Sequence, residues 1–114
     1  MTNIASDNFK ASIKEKDLEE GKMKHVQVSG KSILLVRQGG QIFAVSNICP
    51  HAGCSLDKGL LYEYLVMCPC HGWKFDVRNG QYVDSNAIIL ANYRCKVENG
   101  KIFIEIADKD SKFF

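Results

Sequence analysis

Cys49-Pro50-His51-Ala52-Gly53-Cys54 is followed, after sixteen residues counted from His51, by Cys68-Pro69-Cys70-His71-Gly72-Trp73. The first cassette holds a Cys-x-His pair and the second a Cys-x-x-His pair. Two thiolates and two imidazoles, one of each on a short loop, make a four-point metal site. Pro and Gly beside the candidate ligands prescribe tight turns, which a preformed cage requires. Two Cys and two His also satisfy tetrahedral zinc. However, zinc modules open with a Cys pair and close with a His pair, whereas each cassette here contributes one of each.

Working outward, the flanking residues read as short strands. Phe9 to Ile13, Lys22 to Val28, Leu61 to Met67, Tyr93 to Val97 and Lys101 to Ile106 are strand candidates. Ser32 to Arg37 and Gln41 to Val45 form a hairpin around Gly39-Gly40. Lys74 to Val77 and Gln81 to Val83 flank Arg78-Asn79-Gly80, and Asn99-Gly100 joins the last two strands; Asn-Gly is the strongest short-range hairpin signal. The charged run Lys14 to Gly21 reads as a surface turn. Asp84 to Asn92 is less regular. Short strands separated by glycine turns predict an all-β sandwich or barrel.

This pattern resembles the Rieske iron–sulfur family, in which two His replace two Cys on one iron of a [2Fe–2S] cluster. The resemblance covers about residues 9 to 106 and is densest from 48 to 76. It implies an antiparallel β-sandwich forming a single Rieske domain over 1–114. A small cluster-binding subdomain, at about 46–75, would be carried on two loops, with flexible termini at 1–8 and 107–114. It implies one [2Fe–2S] cluster per chain, with Cys49 and Cys68 on one iron and His51 and His71 on the other. Exchanging two thiolates for neutral imidazoles removes negative charge, which raises the potential into a window of roughly −150 to +300 mV. Loss of the remaining imidazole protons makes that potential fall as pH rises.

The resemblance also assigns a disulfide to Cys54 and Cys70, as in the respiratory class. Trp73 and Phe75 stand where that class has a Ser and a Tyr hydroxyl near the cluster. Without those hydroxyls the expected potential lies in the lower part of the range, as in oxygenase-type ferredoxins. Many Rieske proteins cover the cluster with a Gly-Pro-rich loop. Asp84 to Leu90 has no proline, yet is expected to approach the cluster.

A length of 114 residues suits one core, and a net charge of +2 gives no reason to expect a nucleic acid partner. No run reaches the ~20 apolar residues of a membrane span. Residues 1 to 7 lack the pattern of a signal peptide, so the cytoplasm is the expected compartment. A disulfide there points to a thermophilic source. Cys95 reads as a small core residue and His25 as a surface or half-buried histidine outside the site. Lys58, Lys74 and Arg78 read as a solvated face, and Phe113 and Phe114 as a terminus.

The function expected from the resemblance is soluble one-electron transfer from a reductase to an acceptor such as an oxygenase, with partners docking at the His51/His71 edge. Oxygenase catalysis by this chain alone is excluded on ligand count. A mononuclear iron site would need two further His and a carboxylate, and His25 is the one His outside the cassettes. The alternative is a non-carrier subunit or redox-sensing module of a larger complex, similar to the small subunit of a nitrite reductase.

Overall fold

The computed structural model describes residues 8–106. The expected flexible residues 1–7 and 107–114, with Phe113 and Phe114, lie outside the described residues. Asn8 is described, and its carbonyl accepts a hydrogen bond from Ile106 N.

Ile33-Leu34-Leu35-Val36 is apolar without alternation, the mark of a strand covered on both faces. It forms the centre of the molecule. The strands in chain order are β1 (Phe9–Lys14), β2 (Lys22–Val28), β3 (Lys31–Gln38), β4 (Gln41–Ser46), β5 (Leu60–Tyr62) and β6 (Leu65–Met67), then β7 (Lys74–Asp76), β8 (Gln81–Tyr82), β9 (Ser85–Ile89), β10 (Asn92–Tyr93), β11 (Cys95–Glu98) and β12 (Lys101–Glu105). They pair antiparallel into three sheets, ordered β1-β12-β11, β10-β4-β3-β2 and β5-β6-β7-β8-β9. Two short 3-10 turns, Glu15–Asp17 and Leu56–Lys58, are the helical elements among the described residues.

The side chains of β3 divide the interior in two. Ile33 and Leu35 face Val26, Val28, Ile102 and Ile104, between the middle sheet and the β1-β12-β11 sheet. Leu34 and Val36 face Val66, Phe75, Val77 and Leu90, and this second cluster also contains Cys49 and Cys68. The period-2 alternation of a strand thus puts one face of β3 under the base of the molecule and the other under the site. Full burial of a Leu or Ile contributes about 1.5–3 kcal/mol, so the two faces of β3 tie both layers to one strand.

Two expected strands are corrected. Leu61 to Met67 is a hairpin, β5 and β6, turning at Glu63-Tyr64 with Tyr62 opposite Leu65. Glu63 takes φ 54°, unusual for a residue with a Cβ. The turn is held by tertiary packing. Tyr64 lies edge-on to Phe43, its hydroxyl sits against Gly39, and the Arg78 guanidinium lies 4.3 Å above its ring. Tyr93 to Val97 is likewise two strands. Asn92 and Tyr93 pair with β4, whereas Cys95 onward pairs with β12, so the chain changes sheets at Arg94. The Arg94 carbonyl accepts from Glu105 N, and its side chain pairs with the Glu105 carboxylate at 2.7 and 2.9 Å.

The run Lys14 to Gly21 is a turn, as read, but it has a buried member. Leu18 is 1% exposed, and Arg37 donates to the carbonyls of Glu15 and Leu18. The irregular Asp84–Asn92 region contains β9, paired with β8.

Candidate metal centre

The two cassettes fold as near copies of one another. Cys49 N donates to Cys54 O and Gly53 N donates back to Cys49 O, at 2.9 and 2.8 Å. Cys68 N donates to Trp73 O and Gly72 N to Cys68 O, at 2.8 and 3.0 Å. Each six-residue loop is therefore closed twice through its own backbone. Gly53 and Gly72 take φ 76° and 75°, the left-handed conformation that a side chain disfavours. This is the physical reason each cassette carries Gly at its fifth position.

The loops are held from below. Asn47 is the one buried polar residue among the described residues, at 1% exposure. Its Nδ2 donates to Asp57 Oδ1 at 2.8 Å, and Asp57 N donates to its Oδ1 at 2.9 Å. Its carbonyl accepts from Leu56 N, and its own N–H donates to Ser32 O on β3. Asn47 thus pins both ends of the first cassette to the middle sheet. Gly59 does the corresponding work for the second. A Cβ there would run into the Met67 carbonyl and lie 3.2 Å from Pro69 Cδ, so the absence of a side chain lets residues 56–59 pack under the strand entering Cys68.

Cys49 and Cys68 are each 1% exposed and share one buried cluster. Burial pushes the Cys49 thiol up, and the neighbouring Cys68 thiol raises it further, against the lowering effect of the His51 and Ala52 backbone. His51 and His71 are exposed. Their rings stand edge to face with centroids 4.6 Å apart. A column of rings runs away from this pair. His51 stacks on Trp73 at 4.2 Å, and Trp73 stacks on Tyr82 at 4.3 Å, with interplanar angles of 12° and 10°. Such aromatic pairs contribute about 0.5–1.5 kcal/mol beyond area burial. Phe75 closes the column from beneath, fully buried, 6.3 Å from Trp73 and 5.6 Å from Tyr82. Burial, then the Asp84 charge and its hydrogen bond, push the Tyr82 phenol up.

Cys54 and Cys70 are joined in a disulfide, with Cα atoms 6.4 Å apart. Cys68 Sγ lies within 4.8 Å of both of these sulfurs. The three sulfurs are not a metal site, because two of them are bonded to each other. The donor chemistry instead suits a binuclear cluster: two thiols side by side inside, two imidazoles side by side at the surface. A diiron unit with sulfur ligands on one iron and nitrogen on the other fits that division.

The other singled-out residues lie elsewhere. His25 is exposed on β2 and bonded to Ser32 Oγ at 2.7 Å. Cys95 packs against the lower core and donates to Ile42 O at 3.1 Å, and burial holds its thiol up to about 11. Arg78 is paired with Asp76 at 2.8 Å rather than merely solvated. Ile89 and Leu90 line one groove with Ile48 and Pro50, and Leu90 packs in the same buried cluster as Cys49. Asn47, Gly59 and Tyr82 were missed in the sequence. Asn47 and Gly59 carry no motif, and Tyr82 reads simply as a strand residue after Asn79-Gly80.

Residues 8–94 match the family described as Rieske [2Fe-2S] domain. The chain belongs to the Rieske family. A Rieske domain of this family carries a [2Fe–2S] cluster. The ferredoxin component of the alkene monooxygenase system of Xanthobacter autotrophicus is 36% identical over 89 residues, which are 77% of this chain and 73% of that protein. Human apoptosis-inducing factor 3 is 36% identical over 90 residues, 78% of this chain, but the chain spans only 15% of that protein's length. Among solved structures, the ferredoxin of carbazole 1,9a-dioxygenase from Nocardioides aromaticivorans superposes with a TM-score of 0.81 at 26% identity, covering 88% of this chain and 99% of that one. A complex of reduced oxygenase and oxidised ferredoxin in carbazole 1,9a-dioxygenase matches with a TM-score of 0.79 at 25% identity, over 86% of this chain and 93% of the other. The Rieske fold and the all-β antiparallel architecture agree with what the cassettes and turns predicted. Among the described residues, no helix is long and apolar enough to cross a membrane.

Proposed function

We propose that this Rieske protein is a one-electron carrier, and that Cys49, Cys68, His51 and His71 hold its cluster. One observation carries the reading: two thiols are buried together while two imidazoles are exposed together, 4.6 Å apart, on the facing loops. A [2Fe–2S] cluster bound there supplies one-electron redox chemistry in the range given for mixed Cys/His ligation. The chain's own residues do the rest. The backbone-closed loops preorganise the four donors. Leu34, Val66 and Phe75 keep water from the thiol side. The exposed imidazoles give a partner a short approach to the redox centre. The aromatics Trp73 and Phe75 bring no hydroxyl toward the cluster, which supports a potential low in the family range.

The acceptor best supported is an oxygenase, because the alkene monooxygenase relative and the carbazole dioxygenase neighbours are ferredoxins of oxygenase systems. Donation by a reductase, docking at the His51/His71 edge, a cytoplasmic location and a thermophilic source belong to the same proposal. A second reading has its own support. The human relative is several times longer than this chain, so the same domain also serves as a module of a larger protein. Stable co-purification with a large subunit separates that reading from a free carrier.

The test is an electron paramagnetic resonance spectrum of the dithionite-reduced protein with a pH-resolved redox titration. The spectrum should report mixed Cys/His ligation, and the potential should fall as pH rises. One zinc per chain and no inorganic sulfide would end the proposal.

A further inference from the structure

We infer that Cys68 and the Cys54–Cys70 disulfide form a thiol–disulfide exchange site that acts when the cluster is absent. The inference rests on the reading of Cys68 as a cluster ligand, because iron then keeps this sulfur from its neighbours. The observation behind it is proximity. Cys68 Sγ stands within 4.8 Å of both sulfurs of the disulfide, on the same loop as Cys70. Exchange proceeds by attack of a thiolate on a disulfide sulfur; its rate depends on how much of the attacking thiol is ionised, on access and on the leaving thiol, so a buried thiol reacts slowly and only with a disulfide already beside it.

Access is set by burial. Cys68 is 1% exposed, so external thiols are shut out while the internal disulfide is at hand. The two disulfide sulfurs differ as well. Cys54 is half-buried beside the core and Cys70 is exposed. Attack at Cys54 releases Cys70 into water, where its charge is solvated. Attack at Cys70 would instead close a small ring through Pro69 and release a sulfur packed against apolar side chains. Cys54 is therefore the sulfur attacked.

The step balances without an outside oxidant or reductant. When the cluster-free loops open locally, the Cys68 thiol gives its proton to water, the Cys68–Cys54 bond forms, and the Cys54–Cys70 bond breaks. Cys70 departs as a thiolate and takes a proton from solvent. The count of free thiols is unchanged, but Cys68 has left the ligand set. A chain that has lost its cluster thus locks itself against reloading until a dithiol reductant opens the new link.

The experiment uses the purified chain in two states, cluster-loaded and chelator-stripped under anaerobic conditions, without added thiol. Free thiols are alkylated in acid, and unreduced digests are mapped by tandem mass spectrometry. In the loaded chain Cys54 and Cys70 are linked. On standing, the stripped chain should move its label from Cys68 to Cys70 and yield a Cys54–Cys68 peptide pair, at a rate independent of protein concentration. Reloading should then fail until dithiothreitol is supplied. A stripped chain that keeps the Cys54–Cys70 link, or that releases Cys54 instead, overturns the inference. Cys68→Ser separates the two layers. If that variant still acquires the full visible spectrum of a cluster, the ligand reading fails, whatever the disulfide map shows.

Discussion

Replacing Asn47 by Ala removes the post on which the first cassette stands. Two side-chain hydrogen bonds are lost, Nδ2 to Asp57 Oδ1 at 2.8 Å and Asp57 N to Oδ1 at 2.9 Å. A bond to a charged acceptor contributes about 1.5–3 kcal/mol and a neutral one about 0.5–1.5 kcal/mol. Asp57 is half-buried and recovers part of this from water, so the expected loss is about 2–3 kcal/mol. With a urea slope of about 1.5 kcal/mol/M, the midpoint should fall by roughly 1.3–2 M. The assay is urea unfolding of the cluster-loaded protein, followed by circular dichroism and visible absorbance together. The visible signal should be lost at lower urea than the fold, because the cassette is undermined before the middle sheet. Asn47→Asp is the sharper variant. It loses the donor and sets a second carboxylate against Asp57, so at pH 7 it should fall at least as far as the alanine variant. It should recover as acid protonates the pair and restores a donor. A midpoint shift below about 0.5 M for Asn47→Ala, with the two signals still coincident, would refute the role assigned to this side chain.

Gly59→Ala forces a Cβ into the Met67 carbonyl beside Pro69; the purified variant should hold little cluster, measured as iron and sulfide per chain. Cys70→Ser opens the loop between residues 54 and 70, which are 16 apart in sequence, and should cost about 3 kcal/mol in urea unfolding under the chain-entropy account. Asp76 is held below its usual carboxylate range by the hydrogen bond and charge of Arg78. Its folded pKa is depressed, so its contribution to stability is present above the unfolded value near 3.8 and is lost as pH falls through the folded one. Arg78→Gln should therefore destabilise more at pH 7 than at low pH in unfolding measurements, the loss that persists in acid being its stacking on Tyr64. A redox titration should give a potential well below about +200 mV, and Phe75→Tyr, which adds a hydroxyl below Trp73, should raise it; a wild-type value above that figure removes the argument from the missing hydroxyls.

The cassettes were legible because metal ligands must be particular elements at particular spacings, and because a loop that closes on its own backbone needs Gly at one position. Hairpin turns at Gly39-Gly40 and Asn99-Gly100 were legible for the same local reason: positive φ selects residue types. The apolar run of β3 announced its burial without saying what would cover it. Other features carried no such mark. Glu63 bends the chain against its own preference because Tyr64 finds Gly39, Phe43 and Arg78. Arg94 changes sheets because β4 and β12 lie on either side of it. Asn47 and Asp57 become partners only when ten residues of loop return to the middle sheet. Trp73 meets His51 and Tyr82 only when three separate elements converge. Backbone conformation and ligand chemistry are properties of a few neighbouring residues, so the linear chain determined them. Which buried polar group is satisfied and which rings stack depend on contacts between distant residues, and those were decided when the layers packed.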